Sequence, residues 1–381
     1  MNLAERPTIP GSRYAERLAK ARAASETAGL AAMLIGVGSD LRYLTGYAAM
    51  PLERLTVLVV RPGEPPVIVV PRLERGAAEE GLRTPVEIRT WEETDDPYQL
   101  AAAGIVRAGR VAVSDTMLAM HVLGIQRALG SDARFEVAST ILRDLRMRKD
   151  PEEIALLREA AHAADRVVGQ IAGGRLVGRT EADVSREVRQ RLVDEGHDEA
   201  RFAIVASGPN SASPHHEASD RIIRAGEPVV LDIGGTLGGY GSDITRTIWV
   251  SGGDATNGPS ESFRHLFGVL HTAQASATAA VRPGVSCESI DASARTIIDA
   301  EGYGDAFFHR TGHGIGLDGH EDPYLVAGNE LPLDTGMAFS VEPGIYLKGE
   351  FGARIEDIVV CGDDGPIVLN EAPRELLVVD G

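Results

Sequence analysis

Cysteine is scarce in this chain, with only Cys287 and Cys361 among 381 residues. Two cysteines so far apart in sequence do not suggest a disulfide framework or a zinc site, and we interpret them as small core residues. No apolar run approaches the ~20 residues that a membrane-spanning helix requires. Residues 1–14 carry charges without a continuous apolar stretch after them, so we expect no secretory signal. These absences predict a cytoplasmic protein without a membrane role.

Basic residues are also outnumbered by acidic residues. The chain has 38 basic against 56 acidic residues, for a net charge of −18, and aromatic residues make up 5%. It has no basic tract with interleaved aromatic residues, which is the usual signature of a surface that neutralises phosphates. We therefore expect no nucleic-acid partner.

The first part of the chain alternates helical and strand patterns. A helix is predicted over residues 12–29, and strands are predicted over 31–35, 55–60, 66–70 and 110–113. This pattern is typical of a small α/β domain. The segment has no glycine-rich phosphate loop, no Cys/His cluster and no nucleophile elbow, so it shows no chemistry of its own.

A domain boundary is predicted at residues 146–150, where charged residues interrupt the hydrophobic pattern. Asp150 is a helix N-cap candidate, and Pro151 suits the first position of a helix. Beyond this point helices are predicted over residues 153–171, 180–195, 263–281 and 290–300, and strands over 202–206, 228–233, 242–250, 337–341 and 354–360. Helices grouped apart from hairpin-connected strands indicate an α+β domain.

Two aspartates flank a glycine-rich segment of this second domain. Asp232 and Asp243 belong to two predicted strands joined at Gly238 and Gly239, and a hairpin would bring them close together. Two ionised aspartates in such a hairpin repel each other unless a cation or a proton lies between them. Aspartate is also common in glycine-rich turns for purely local reasons, so the pair needs support from other donors.

Histidines supply that support. His309, His313 and His320 fall within twelve residues and are interleaved with glycines that allow a ligand to approach the backbone closely. A single histidine would more often be structural, but three in one glycine-rich loop favour a site. His215 and His216 lie in another loop that follows a strand, where a histidine could either contact a substrate or face solvent.

Two glutamates lie in apolar segments, where a carboxylate is costly unless it is paired or bound to metal. Glu342 follows the run 337–341, and Glu356 belongs to a strand on which Arg354 offers an ion pair as an alternative explanation. The predicted donor set is Asp232, Asp243, His313, Glu342 and Glu356. Its four carboxylates carry a charge of about −4, which two divalent cations such as Mn²⁺, Co²⁺, Fe²⁺ or Zn²⁺ could neutralise.

In their order and flanking residues, these donors resemble those of the pita-bread metallopeptidases, in the branch of prolidase (Xaa-Pro dipeptidase) and aminopeptidase P. The matching segments are Asp232, Asp243, His313 in His-Gly-Ile-Gly, Glu342 in Glu-Pro-Gly-Ile-Tyr and Glu356 in Arg-Ile-Glu-Asp. The first part of the chain is similar to that branch's creatinase-type N-terminal domain. The resemblance implies an α+β fold, with a pita-bread catalytic domain over residues 148–381 and a smaller α/β creatinase-type domain over 1–147.

The resemblance also implies a role for each donor. Asp232 would bind the first metal, His313 and Glu342 the second, and Asp243 and Glu356 would bridge both. A water between the ions would be the nucleophile. Glu342 would accept its proton and relay it to the leaving nitrogen.

Further residues match the family outside the ligand set. His215 and His320 correspond to two outer histidines that hold the substrate and stabilise the charged intermediate, and His309 matches a further substrate-binding histidine of the pocket. Tyr240 and Arg354 would orient Asp243 and the other carboxylates. His216 has no counterpart, and we expect it at the surface.

The implied function is hydrolysis of the bond preceding proline in Xaa-Pro dipeptides by a homodimer that uses two metal ions, with Mn²⁺ as the expected metal and Co²⁺, Zn²⁺ or Fe²⁺ as alternatives. The preference for proline follows from the resemblance alone. One alternative is aminopeptidase P activity on longer Xaa-Pro peptides, and another is hydrolysis of a small non-peptide amide. A catalytically inactive peptide-binding module is a third alternative, of a different class. Residues 325–333 contain no arginine that could bind the carboxylate of a dipeptide, so the choice between dipeptidase and aminopeptidase stays open.

Overall fold

The structure is a computed structural model that describes residues 6–381. Residues 1–5, part of the stretch in which we expect no secretory signal, lie outside the described residues. The chain divides into two compact units, Ile9–Arg146 and Met147–Gly381, and the second unit also includes the described part of Met1–Thr8. Among the described residues, no helix combines the length and apolar character needed to cross a bilayer.

The unit Ile9–Arg146 is built on a six-stranded mixed sheet. Its strands are β1 Ala32–Gly36, β2 Val57–Val60, β3 Val67–Pro71, β4 Glu87–Trp91, β5 Arg110–Val113 and β6 Arg134–Val137, in the order β4-β3-β2-β1-β5-β6. Its helices are α1 Gly11–Thr27, α2 Ser39–Thr45, α3 Arg75–Gly81, α4 Pro97–Ala102, α5 Ala119–Leu129 and α6 Ser139–Met147. The predicted helix and all four predicted strands are present. The pattern missed β4 and β6 because both strands are partly exposed and lack a continuous apolar run.

The second unit pairs helices with antiparallel sheets. Its helices are α7 Pro151–Ala172, α8 Glu181–Asp194, α9 Glu261–Ala280 and α10 Cys287–Ala300. Its strands are β7 Glu199–Ser207, β8 Glu227–Leu237, β9 Tyr240–Gly241, β10 Ile244–Val250, β11 Gly312–Gly314, β12 Glu321–Leu325, β13 Ala338–Val341, β14 Gly344–Leu347, β15 Phe351–Arg354, β16 Asp357–Cys361, β17 Pro366–Val368 and β18 Leu377–Val379.

Two five-stranded sheets and a two-stranded ribbon form the centre of this unit. One sheet has the order β18-β10-β8-β7 with β9 on β8, the other has the order β12-β11-β13-β16-β17, and β14 pairs with β15. A single bridge between Thr245 and Glu356 joins β10 of the first sheet to the segment that precedes β16 in the second. This bridge brings together stretches of chain more than a hundred residues apart.

The helices cover the sheets in pairs. Apolar residues of α7 and α8 pack with those of β7, β8 and β10 in one buried cluster. The helices α9 and α10 pack against β13, β15 and β16 in another. The helices therefore cover the sheets, because the apolar face of each helix meets strands that are buried on that side.

The start of α7 is connected to the strands by one side chain. Asp150 caps the helix by accepting from the Glu153 backbone N–H at 2.9 Å, and Glu153 accepts from the Asp150 N–H at the same distance. The second carboxylate oxygen of Glu153 accepts from the Tyr240 hydroxyl at 3.0 Å. The predicted N-cap Asp150 is thus part of a capping box whose Glu153 also contacts Tyr240 beside the glycine-rich hairpin.

One predicted strand is wrong. Residues 354–360 do not form a continuous strand, because β15 ends at Arg354 and β16 begins at Asp357. Ile355 and Glu356 lie in the gap, where the Glu356 N–H donates to the Thr245 carbonyl at 3.1 Å. The interruption places Glu356 at the junction of the two sheets, which the alternating apolar pattern did not reveal.

Candidate metal centre

The five predicted donors lie on strands of the second unit or directly beside them. Asp232 lies within β8, and Asp243 directly precedes β10. His313 is the central residue of β11, Glu342 follows β13, and Glu356 fills the gap between β15 and β16.

The predicted hairpin between the aspartates is confirmed. Strands β8 and β10 pair with Asp232 opposite Thr245. Gly238 and Gly239 make the turn with φ of 60° and 91°, a backbone conformation that favours glycine.

These donors meet in one buried cluster. One potential ligand atom from each of Asp243, His313 and Glu356 lies within 4.8 Å of the other two. The Nε2 atom of His313 lies 3.2 Å from Oε1 of Glu342 and 3.8 Å from Oδ2 of Asp243. Sequence reasoning placed these residues together, and the structure does so.

Asp232 joins the cluster through Arg354. The Nη2 group of Arg354 donates to Oδ2 of Asp232, and both side chains are almost fully buried. The other oxygen, Oδ1, is buried and has no hydrogen-bond partner among the described residues. A buried carboxylate oxygen without a donor is costly unless a cation binds it.

The electrostatics of the cluster also fit bound cations. Burial raises the pKa of Asp243 well above its usual range, and the charges of Asp232 and Glu342 raise it further. Burial likewise raises the pKa of Glu356 well above its usual range, with Asp243 and Glu342 adding to the effect. Carboxylates placed this close repel each other when ionised, and divalent cations would remove that repulsion.

His313 is oriented as a ligand through Nε2. Its Nδ1 lies 3.1 Å from the carbonyl oxygen of Gly314, a contact that requires the proton on Nδ1. The Nε2 lone pair then faces the carboxylates of Glu342 and Asp243. Burial lowers the pKa of His313 to about 4, which keeps the imidazole neutral at pH 7. A lone pair directed at two carboxylates suits a shared metal ion.

Residues that the motif search did not assign hold the donors in position. The Thr245 hydroxyl donates to Oε2 of Glu356 at 2.7 Å. The Ser340 hydroxyl donates to Oε1 of Glu342 at 3.1 Å and accepts from the His313 N–H at 3.0 Å. Threonine and serine are ordinary residues in strands, so only their position beside the donors reveals this role.

Arg354 makes more contacts than the sequence suggested. Besides Asp232, it donates to the Tyr346 hydroxyl at 2.8 Å through Nη1 and to the Thr245 hydroxyl at 3.0 Å through Nε. The ion pair between Arg354 and Glu356 that the sequence allowed as an alternative is wrong, because the carboxylate partner of Arg354 is Asp232. Tyr346 belongs to the Glu-Pro-Gly-Ile-Tyr segment but had no predicted role.

His320, His215 and His309 differ in their burial and in their neighbours. The rings of His320 and His313 are 4.0 Å apart, and burial lowers the pKa of His320 to about 4. His215 is exposed, and its charge contributes to the low pKa of His320. His309 places Nε2 3.0 Å from the Tyr346 hydroxyl, and burial lowers its pKa.

His216 and Tyr240 contact partners that the sequence did not indicate. His216 is not a free surface residue: its side chain is 16% exposed, and Nε2 lies 2.8 Å from Oε2 of Glu181. The expectation that His216 lies free at the surface was wrong because its partner Glu181 is 35 positions away and cannot be identified from the local sequence. For Tyr240, the hydroxyl donates to Glu153 at the start of α7. Its orienting role for Asp243 therefore stays a prediction.

Comparison with known proteins agrees with this geometry. Residues 155–363 match the family model described as metallopeptidase family M24, and residues 17–148 match the Creatinase/Prolidase N-terminal domain. The probable dipeptidase PepE of Mycobacterium tuberculosis is 47% identical over 370 residues, which are 96% of each chain. The Xaa-Pro dipeptidase of Pyrococcus horikoshii is 33% identical over 347 residues, covering 91% of this chain and 94% of the relative.

A solved structure leads to the same conclusion. The crystal structure of a prolidase from Thermococcus sibiricus superposes with a TM-score of 0.89 at 36% identity, covering 96% of this chain and 99% of that one. The predicted α+β pita-bread fold with a creatinase-type N-terminal domain is confirmed. The chain belongs to metallopeptidase family M24 and is a dipeptidase- or prolidase-like enzyme of that family.

Proposed function

We propose that this chain hydrolyses the bond preceding proline in Xaa-Pro dipeptides, with two divalent cations held by Asp232, Asp243, His313, Glu342 and Glu356. The buried donor cluster carries this proposal, above all the unpartnered Oδ1 of Asp232 and the Nε2 lone pair of His313. The names of the relatives, a probable dipeptidase and an Xaa-Pro dipeptidase, support the choice of substrate.

Each donor would have a distinct part in holding the cations. Asp232 would bind the first ion, His313 and Glu342 the second, and Asp243 and Glu356 would bridge the two. When bound, two divalent cations supply an activated water and polarise the scissile carbonyl. The hydrogen bonds from Arg354 to Asp232 and from Thr245 to Glu356 hold these carboxylates in their orientations.

Glu342 would move the proton. Burial raises the pKa of this carboxyl, which makes it a better proton acceptor than an exposed glutamate. Its Oε1 accepts from Ser340, so the side chain is held beside His313. The nitrogen of a bond preceding proline has no hydrogen of its own and leaves as an amine only after protonation. Glu342 would supply that proton to the leaving nitrogen.

The histidines would contact the substrate. Because burial lowers the pKa of His320 to about 4, its ring is neutral at pH 7 and carries one N–H. That N–H can donate to the oxygen on which negative charge develops, and His215 would hold the substrate from the other side. His309, hydrogen-bonded to the Tyr346 hydroxyl, would line the pocket without charge.

The metal, the assembly and the location complete the proposal. We propose Mn²⁺ as the metal, with Co²⁺, Zn²⁺ and Fe²⁺ as alternatives. A carboxylate-rich site accepts several divalent ions, and the cellular supply of each ion decides which one it binds. We propose a homodimer in the cytoplasm. The free, buried cysteines Cys287 and Cys361 suit a reducing compartment.

A substrate panel tests the activity. Metal-stripped protein is reconstituted with Mn²⁺, Co²⁺, Zn²⁺ or Fe²⁺, its metal content is measured, and it is assayed with Leu-Pro, Leu-Pro-Gly, Leu-Gly and a small non-peptide amide. We expect two ions per chain and hydrolysis of Leu-Pro in preference to the other compounds. Fully loaded protein that cleaves only the tripeptide would support an aminopeptidase, and cleavage of the amide alone would support an amidase. Loaded protein that cleaves none of them would support a binding module.

A further inference from the structure

Arg310 lies in the loop that precedes β11, and its guanidinium is stacked on an aromatic ring. Its Cζ atom is 4.4 Å from the centroid of the Tyr324 ring, and both residues are partly buried. Among the described residues, none forms an ion pair or hydrogen bond with the Arg310 guanidinium. Stacking fixes the plane of the guanidinium while its N–H groups remain available to a ligand.

The strand register places this cation beside the candidate metal centre. Tyr324 lies directly opposite His313 across the β11–β12 pair. Opposite residues of an antiparallel pair have their side chains on the same face of the sheet, so Tyr324 and its stacked arginine share a face with His313.

Other arginines near the donors already have carboxylate partners. Arg354 is paired with Asp232, and Arg295 is paired with Asp291 at 2.8 Å. Their positive charges are compensated within the protein. Arg310 is therefore the cation in this part of the described chain that is left for an anionic ligand.

An anionic substrate needs such a cation. A dipeptide ending in proline has its carboxylate one residue beyond the scissile bond, and burying that charge in a pocket is costly unless a cation pairs with it. In a longer peptide, a neutral amide occupies the position of that carboxylate. The planar fork of a guanidinium matches a carboxylate with two parallel hydrogen bonds, which an amide cannot accept in the same way.

We propose that Arg310 binds the C-terminal carboxylate of the substrate and so makes this chain select dipeptides over longer peptides. The inference rests on the proposed function and specifies the substrate class of the same site. Arg310 would bind the carboxylate that residues 325–333 cannot bind, because that segment lacks an arginine.

The test compares a free carboxylate with a neutral amide at the same position. Metal-loaded wild-type protein and the variants Arg310→Met and Arg310→Lys are assayed with Leu-Pro and with Leu-Pro amide. For Arg310→Met we expect the KM for Leu-Pro to rise on the order of 10- to 100-fold, since a hydrogen-bonded charge is lost, with little change for the amide. Arg310→Lys should recover part of the loss. The exposed Arg282→Met, which removes the same charge elsewhere, should behave as wild type.

Two outcomes would overturn the inference. One is an equal loss for Leu-Pro and Leu-Pro amide in Arg310→Met, which would indicate a structural role. The other is an unchanged KM for Leu-Pro in that variant. Calorimetric binding of L-proline and L-prolinamide to the same metal-loaded proteins provides a readout that does not depend on turnover. If the wild-type protein hydrolyses neither substrate, the proposed function fails. The carboxylate site would still be supported if the wild type binds L-proline in preference to L-prolinamide and Arg310→Met loses that preference.

Discussion

Arg354 donates to Oδ2 of Asp232, while Oδ1 of the same carboxylate is buried and has no hydrogen-bond partner in the described part of the chain. One oxygen is therefore held in place, and the other is left for a cation. Through Thr245, which donates to Glu356 at 2.7 Å, Arg354 also influences a second donor. A single buried guanidinium thus orients Asp232 of β8 directly and, through Thr245, Glu356 at the junction of the two sheets.

Replacing Arg354 by lysine should weaken metal binding without unfolding the protein. Arg354→Lys keeps the charge but loses the fork that reaches Asp232, Tyr346 and Thr245 together. We expect metal affinity to fall about 10- to 100-fold, as for other groups that orient metal ligands. Calorimetric titration with Mn²⁺ measures this effect, and the exposed Arg282→Lys is the matched control. Unchanged affinity in Arg354→Lys would show that Asp232 does not depend on this arginine.

Removing a proposed metal ligand should abolish hydrolysis and leave a folded protein. Asp243→Asn and His313→Ala should lower turnover at least about a thousandfold, because metal activation contributes several kcal/mol. Metal-free Asp243→Asn should melt at or above the wild-type Tm, since the buried, mutually repelling carboxylate is gone. Metal content is measured alongside activity. Full activity in a variant with less metal would argue against the two-ion proposal.

His320 should contribute to turnover and not to metal binding. In His320→Ala we expect kcat to fall about 100- to 1000-fold, as when one donor to a developing oxyanion is removed. Metal content should stay at the wild-type level, although the His320 ring lies 4.0 Å from that of His313. Loss of metal from this variant would place His320 among the ligands instead.

Glu181 should make folding stability depend on acid pH. Burial alone would raise the pKa of Glu181, but hydrogen bonds from Ser219, Ser207 and His216 outweigh it and lower the pKa from 4.5 to about 2. The ionised form is therefore favoured in the folded state. Its stabilisation is fully present above pH 4.5 and is lost as the pH falls through about 2. A shift of this size corresponds to about 3 kcal/mol of unfolding free energy.

The variant Glu181→Gln tests this relationship in metal-free protein. Urea unfolding at pH 7 should show a loss of about 2–3 kcal/mol, and the difference from wild type should shrink toward zero near pH 2. The exposed Glu217→Gln, in the loop that carries His215, serves as the control. A difference from wild type that stays constant with pH would mean that Glu181 acts through packing and not through its charge.

Much of the site could be read from the sequence, because its donors lie in recognisable local segments. Asp150 and Pro151 marked the start of α7, and the glycine-rich turn marked the β8–β10 hairpin. The three clustered histidines and the glutamates in apolar runs indicated a site before any distance was known. Each of these signals depends on neighbours within a few positions along the chain.

The supporting residues could not be read in this way. Thr245 contacts Glu356 across 111 positions, and His216 contacts Glu181 across 35. Arg310 had no visible significance until Tyr324 was placed beside it by the strand register. Serine, threonine and arginine are common on strands and loops, so their chemistry depends on partners that the chain brings together only on folding.

The sequence by itself determined which residues can bind cations and roughly where the longest helices and part of the strands lie, because capping, glycine turns and apolar periodicity act locally. Only the tertiary structure decided that the chain leaves the strand between Arg354 and Asp357. It also decided that, among the residues described, one oxygen of Asp232 has no hydrogen-bond partner and the Arg310 guanidinium has no ion pair. These features arise from pairing between distant strands, and hydrogen bonds and charges that form between such strands leave no local pattern along the chain.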